Sequence, residues 1–398
     1  MATEIDGIVS SLRGATDFTQ AYATVDRWNR EGKTRDLLDL SAALEKASDG
    51  QGAERFPYEA VADHVEEVLA LTAGGDHVDA IFELLARDRV RSVQRPRPRD
   101  VRVRAAASRL GYGQSKDALL AALRRSSDKK EHEEVLACWM HEMVMRGTSL
   151  DREEPAIALH ERLAKQGHVL GRLPLTLLAS ESEAPTYMPM YGANAISKAV
   201  QRLEQGPTSN RTMPPPADDD PPRATRVEDA KIEERLREAV IPWTSASNGV
   251  AEAKIFELAS PIKTPPGRWL LRALPLECLA GESSRSPASG TSTGLHAERV
   301  GPDAVWGALF SAASNGGAYS SGLGAAYGRR AAWTTLGALV DAPADADSKD
   351  VDERARKASF LLFRAEGGWF NDIAWDIGTL AVRDGGKTVA VLAATDTD

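Results

Sequence analysis

Cysteine is nearly missing from this chain: Cys138 and Cys278 are the only two in 398 residues. A protein of this length can stabilise itself by burial without covalent staples, so no disulfide framework is expected and reduced thiols are the default. No window reaches about 18 consecutive apolar residues, which excludes a membrane-spanning helix. The opening MATEIDGIVSSLRGATD carries two early acids and no apolar run of signal-peptide length, so export is unsupported. An excess of basic charge is absent as well. Lys and Arg number 49 against 58 Asp and Glu, a net charge of −9, which disfavours nucleic acid or an anionic membrane as a whole-protein partner. The balance points to a soluble protein of the cytoplasm.

What is present is ordinary globular composition. Hydrophobic residues make up 42% and charged residues 27%, enough apolar surface to offset the entropy of folding over most of the chain. The length exceeds one ordinary core, so two domains are expected.

The first half reads as helix pairs. Apolar residues recur at helical spacing in AYATVDRWNREG and TRDLLDLSAALEKA, in YEAVADHVEEVLALTAGG and DHVDAIFELLARD, in VRVRAAASRLG and SKDALLAALRR, and in HEEVLACWMHEMVMRG and EEPAIALHERLAKQG. Gly32, Gly74, Gly111 and Gly147 stand where left-handed C-caps are wanted, and Asp76 and Ser115 where N-caps are. The spacing predicts a helical-repeat-like, α-solenoid domain over residues 1–205, with an irregular bundle as the competing arrangement. After a helix expected at 192–205, the proline-rich acidic run EQGPTSNRTMPPPADDDPPRATRVED predicts a linker at 206–228.

Residues 229–398 differ in kind, since six of the eight tryptophans follow residue 240. Helices are expected at 229–240, 249–260, 302–314, 322–340 and 349–364, an extended segment at 268–279, a Ser/Gly-rich loop at 281–294, and a β-hairpin at the end. The fold class is mainly α with a C-terminal α+β part. The runs GGAYSSGLGAAYGRRAAWTTLGALV, 316–340, and WFNDIAWDIGTLAVRDGGKTVAVLAATDTD, 369–398, resemble the C-terminal signature of an actinobacterial family of unknown function. That resemblance implies no activity.

Four stretches carry candidate chemistry. In the closing hairpin, Gly385 and Gly386 suit a turn that needs positive φ. Counting back from it opposes Asp376 to Thr395 and Trp375 to Asp396. Asp372, Asp376, Asp396 and Asp398 then gather at one end of a ribbon, where hard carboxylate oxygens suit a divalent cation such as Mg²⁺ or Ca²⁺. Arg329 and Arg330 are the basic groups that could compensate them. With Tyr327, Arg329, Trp369, Asp372 and Asp376 this would be an enzyme's pocket; the ordinary reading is a solvated strand end, with Asp376 and Asp396 on opposite faces.

The second stretch, SNGGAYSSGLGAAYGRR, loosely matches a dinucleotide loop through its glycines and a nucleophile elbow through Ser320, but no strand precedes it. His296 is the one histidine of the second half. Close packing is the ordinary account of the glycines. In the third, Glu134, Cys138 and His141 share a helix face, which would admit a metal although a buried thiol is commoner. In the fourth, RDRVRSVQRPRPRDVRVR offers Arg95, Arg97, Arg99, Arg102 and Arg104 to phosphate or nucleic acid, against the alternative of solvated or ion-paired arginines. Helix pairs without a catalytic motif make a protein-interaction scaffold the leading expectation. A divalent-cation-dependent enzyme and a nucleic-acid binder are the alternatives.

Overall fold

The computed structural model describes residues 2–48, 55–87, 99–182, 222–280, 294–365, 368–370, 375–383 and 385–397. Two compact units emerge, one of Met1–Val144 and Thr148–Arg162, the other of Met145–Gly147 and Leu163–Asp398. The expected helix at 192–205 and nearly all of the Ser/Gly-rich loop lie outside the described residues.

The first unit is helical throughout its described residues: α1 Ala2–Ser11, α2 Thr19–Arg30, α3 Thr34–Ser48, α4 Phe56–Leu71, α5 Gly75–Ala86, α6 Arg99–Gly113, α7 Lys116–Arg125 and α8 Lys130–Met145, with α9 Glu154–Lys165 at its end. The apolar spacing explains the packing. In α3, Leu37, Leu40, Ser41 and Leu44 form one buried stripe, and α4 meets α2, α3, α5 and α6. Contacts between elements so near in sequence are what stacked helix pairs produce, and equally a bundle. Ser115 caps α7 as expected, its hydroxyl accepting from the Ala118 N–H at 3.2 Å. Gly32 and Gly147 have positive φ. Three expected caps are corrected: α4 ends at Leu71 with Thr72 as its C-cap, so Gly74 is instead the N-cap of α5; α6 runs through Gly111 to Gly113; and Asp76 sits inside the first turn of α5.

The second unit adds α10 Ala179–Ser182, β1 Ala224–Val227, α11 Ala230–Arg237, α12 Ile241–Ala246, β2 Val250–Leu258, α13 Arg268–Ala273, β3 Leu295–Val300, α14 Pro302–Asn315, α15 Gly324–Leu339, α16 Ser348–Ala355, β4 Ser359–Ala365, β5 Asp376–Val382 and β6 Thr388–Thr395. The strands form one antiparallel sheet in the order β1-β2-β6-β5-β4-β3. One face, including Phe256, Val391, Leu380 and Phe363, packs on Leu270, Leu271, Leu274 and Leu276. The other face is buried too, through Ile255, Leu392, Ile377 and Phe360, and α11, α14 and α15 meet the sheet at β2, at β3 and β4, and at β6.

Three local expectations fail here. Residues 250–258 are a strand, not a helix: Ala, Glu and Lys favour helix, but eight paired residues across β6 and burial of both faces override that weak preference. The segment 268–279 is a helical turn followed by a 3₁₀ turn at Glu277–Leu279. The expected helix 349–364 stops at Ala355, and SFLLFRA becomes β4. Residues 224–227, inside the proline-rich run, form edge strand β1.

Candidate functional site

The hairpin has the register that its glycines imply. Gly385 and Gly386 both have positive φ, Asp376 opposes Thr395, and the Asp396 N–H donates to the Trp375 carbonyl at 3.0 Å. Because side chains alternate along a strand, Asp376 and Asp396 leave opposite faces. Asp376 accepts from the Thr395 hydroxyl at 2.6 Å. Asp396 is fully buried and accepts from the N–H of Ala318 at 2.8 Å and of Thr397 at 2.9 Å. Asp372 and Asp398 lie outside the described residues, among which no group of three or more His, Cys, Asp or Glu is arranged to hold a metal ion.

Arg329 is not brought to those acids. Fully buried on α15, it reaches Glu181 of α10 with two bonds, Nε to Oε1 at 2.6 Å and Nη2 to Oε2 at 2.7 Å. It also donates to the carbonyls of Pro174 and Thr176 at 2.7 and 2.9 Å. Trp333 Nε1 and the Leu178 N–H complete the shell of Glu181 at 2.6 and 2.7 Å. Arg330 pairs with Glu238. Tyr327 is partly buried on α15. Arg329 thus fastens 174–182 to the helical layer.

The glycine-rich run packs as a loop. A Cβ on Gly322 would fall 1.9 Å from the Ser314 carbonyl oxygen, and one on Gly317 2.0 Å from Asp396 Oδ2. Gly317 donates its N–H to Ser320 Oγ at 2.9 Å. His296 sits on edge strand β3 opposite Arg364.

Of the arginine candidates, Arg95 and Arg97 lie outside the described residues and Arg99 begins α6. Arg102 is buried and donates to the carbonyls of Leu84 at 2.8 Å and Arg87 at 3.2 Å, satisfying orphan acceptors at the end of α5. Arg104 binds Asp100 one turn back at 2.7 Å. Cys138 lies 3.6 Å from Glu134 Oε1, and burial, reinforced by the acids Glu134 and Glu142, pushes its thiol well above the ordinary range.

A cleft of about 680 Å³ lies elsewhere, along β2, among Val250, Lys254, Glu277, Trp369, Arg226 and Arg237. The Lys254 ammonium meets Glu252 Oε1 at 2.7 Å, Glu277 Oε1 at 3.2 Å and the Pro275 carbonyl at 3.3 Å. Glu252 in turn accepts the N–H groups of Glu277 and Cys278, both at 2.8 Å, so it caps the 3₁₀ turn. Burial disfavours the charged form of Glu252, but Lys254 and the two N–H donors outweigh it and hold the carboxyl below its ordinary value. Burial likewise opposes the charge on Lys254, and its bond to Glu252 prevails and raises it. Burial, with Glu252 alongside, pushes the Cys278 thiol up. Arg226 and Arg237 share one carboxylate, Glu233, at 3.1 and 3.5 Å.

Reading 249–260 as a helix hides this cleft. Residues two apart project about 200° apart on a helix but onto one face of a strand, so Glu252 and Lys254 meet only because the segment is β2. Their linkage has a pH signature. A carboxyl lowered on folding contributes stability that is present above its unfolded value, about 4.3, and is lost as pH falls through the folded one. Glu252→Gln is therefore expected to cost about 2 kcal/mol near neutrality, as for hydrogen bonds to a charged group, and the gap from the parent should narrow below about pH 4. Urea midpoints of both proteins at pH 7, 5 and 3.5 check this; a gap independent of pH refutes it.

Neither a curated protein nor a solved structure matches this chain. A family model described as a family of unknown function, DUF6183, matches residues 19–398, and the chain belongs to that family.

Proposed function

We propose that this is an interaction protein: the helical unit presents a surface to a protein partner, and the α+β unit holds a ligand or a segment of a partner in the cleft along β2. The geometry of that cleft carries the reading: Lys254, Glu252 and Glu277 are bound to one another along a strand edge, not held apart as a poised acid and base. Glu252 and Lys254 are each driven toward their charged forms, whereas acid/base catalysis near neutral pH needs groups shifted the other way. The buried thiol of Cys278 is raised, opposite to an activated nucleophile.

The helical unit adds an aromatic surface. Phe56 is 66% exposed and stands edge-on to Phe18, with ring centroids 5.8 Å apart, while Tyr22 lies 4.3 Å from the His64 ring. An exposed aromatic such as Phe56 is of a residue type enriched in protein interfaces. A setting in the cytoplasm fits two buried free thiols, and an actinobacterial source is part of the same reading. The alternative, a divalent-cation enzyme at Asp372, Asp376, Asp396 and Asp398, draws no support from acids on opposite faces. Phosphate or nucleic-acid contact rests on Arg95, Arg97 and Arg99, since Arg102 and Arg104 are engaged elsewhere.

Photo-crosslinking in cells tests the interaction reading. A benzophenone amino acid replaces Phe56 in one variant and Val250 in another. Discrete adducts to a shared protein are expected from both; diffuse background from both overturns the proposal.

A further inference from the structure

The pairing of β2 is incomplete. Its inner side is matched to β6 from Val250 to Glu257, but its outer side meets β1 only from Ile255 to Leu258. Val250 to Lys254 therefore have no strand neighbour on that side among the described residues, and all five line the cleft.

The hydrogen-bond alternation says which groups face outward. Leu258 N–H donates to Lys387 at 2.8 Å, toward the β6 side, and Ala259 N–H to Arg223 at 2.9 Å, toward the β1 side. In an antiparallel ladder this alternates residue by residue. The backbone N–H and C=O of Ala251 and Ala253 thus point to the open edge. Ala251 is partly exposed and Ala253 buried, so Ala251 is the accessible docking group. An edge of this kind is a ready template for another strand.

We propose that the cleft takes an extended acidic peptide, which adds a short strand beside Val250–Lys254 and sets a carboxylate against Arg226 and Arg237. This rests on the interaction reading above. Charge complementarity at the Arg226–Arg237 end selects the acidic partner, while the acids Glu252 and Glu277 of the same cleft are engaged by Lys254. Lys254 has three acceptors within 3.3 Å and no donor left to offer. Arg226 and Arg237 have one carboxylate between two guanidiniums, and each fork keeps N–H donors suited to a second carboxylate. Val250, 51% exposed, and the partly exposed Trp369 offer apolar surface to the alternate side chains of such a strand.

The probe is an array of random linear heptapeptides, each with a free or an amidated C-terminus, presented to the full chain. Acidic sequences are expected to bind, and Arg226→Gln with Arg237→Gln to weaken the best of them at least tenfold. Amide exchange at Ala251 should slow at least tenfold in the complex. Ala251→Pro, which removes an outward N–H at an edge that tolerates proline, should abolish binding; if that variant misfolds, the exchange measurement on the parent decides. Binding without protection at Ala251 overturns strand addition while the interaction reading stands. Equal retention of basic and acidic peptides overturns the charge assignment. No retained peptide overturns the proposal and leaves the crosslinks to judge the broader reading. Concentration-dependent dimers in light scattering, lost in Ala251→Pro, would assign the edge to a second copy and overturn it as well.

Discussion

Replacing Glu181 by glutamine is expected to lower the stability of the second unit by about 3–5 kcal/mol, the cost of leaving a buried charge without its partner. Glu181 accepts two bonds from Arg329, one from Trp333 and one from the Leu178 N–H, and both ion-pair side chains are 0% exposed. Neutralising it leaves the guanidinium without its counter-charge, and the amide offers one acceptor oxygen where the carboxylate offered two. Urea denaturation followed by tryptophan fluorescence suits the test, because six of the eight tryptophans lie after residue 240. The double replacement Glu181→Leu with Arg329→Met should recover only part of the loss: it removes the unpaired buried charge but leaves the Trp333 Nε1 and Leu178 N–H donors without their acceptor. A loss under about 1 kcal/mol, the scale of an exposed pair, would mean that Arg329 is available for other chemistry.

Gly322→Ala should be comparably damaging, at about 3 kcal/mol, the upper range for overpacking. The added methyl would meet the Ser314 carbonyl oxygen at 1.9 Å and the Asn315 carbonyl carbon at 2.5 Å. Those are backbone atoms at the end of α14, so no side chain can swing aside. Gly385→Ala is the control. Nothing lies within 4 Å of its Cβ position, and only its φ of 86° resists a side chain, a cost of about 1–2 kcal/mol. Urea midpoints of the two variants separate crowding from conformational strain. If Gly322→Ala melts like the parent, the glycines of 316–328 answer to something other than close packing.

The hairpin shows how far local chemistry reaches. Two adjacent glycines set the turn, and with a period of two the whole register follows by counting, which is why Asp376 meets Thr395 and Asp396 meets Trp375. The helical half is equally legible, because apolar residues at a 3.6-residue spacing bury one stripe whatever the neighbours are. The acids at the chain end mislead, since proximity along a ribbon says nothing of what each face packs against. Asp396 turns into the fold to hold the loop at Ala318, and Arg329 turns to a glutamate 148 positions away.

Composition and periodicity by themselves determined a mainly helical chain, an α+β C-terminal part and a terminal ribbon in one register, because each rests on interactions between residues close in sequence. Tertiary structure alone decided that residues 250–258 are a strand, that Glu252 and Lys254 share its face, and that its outer edge is left half covered. The first two outcomes depend on pairing partners in β6 more than a hundred residues distant, where burial across two packed faces outweighs the local helical preference of Ala, Glu and Lys.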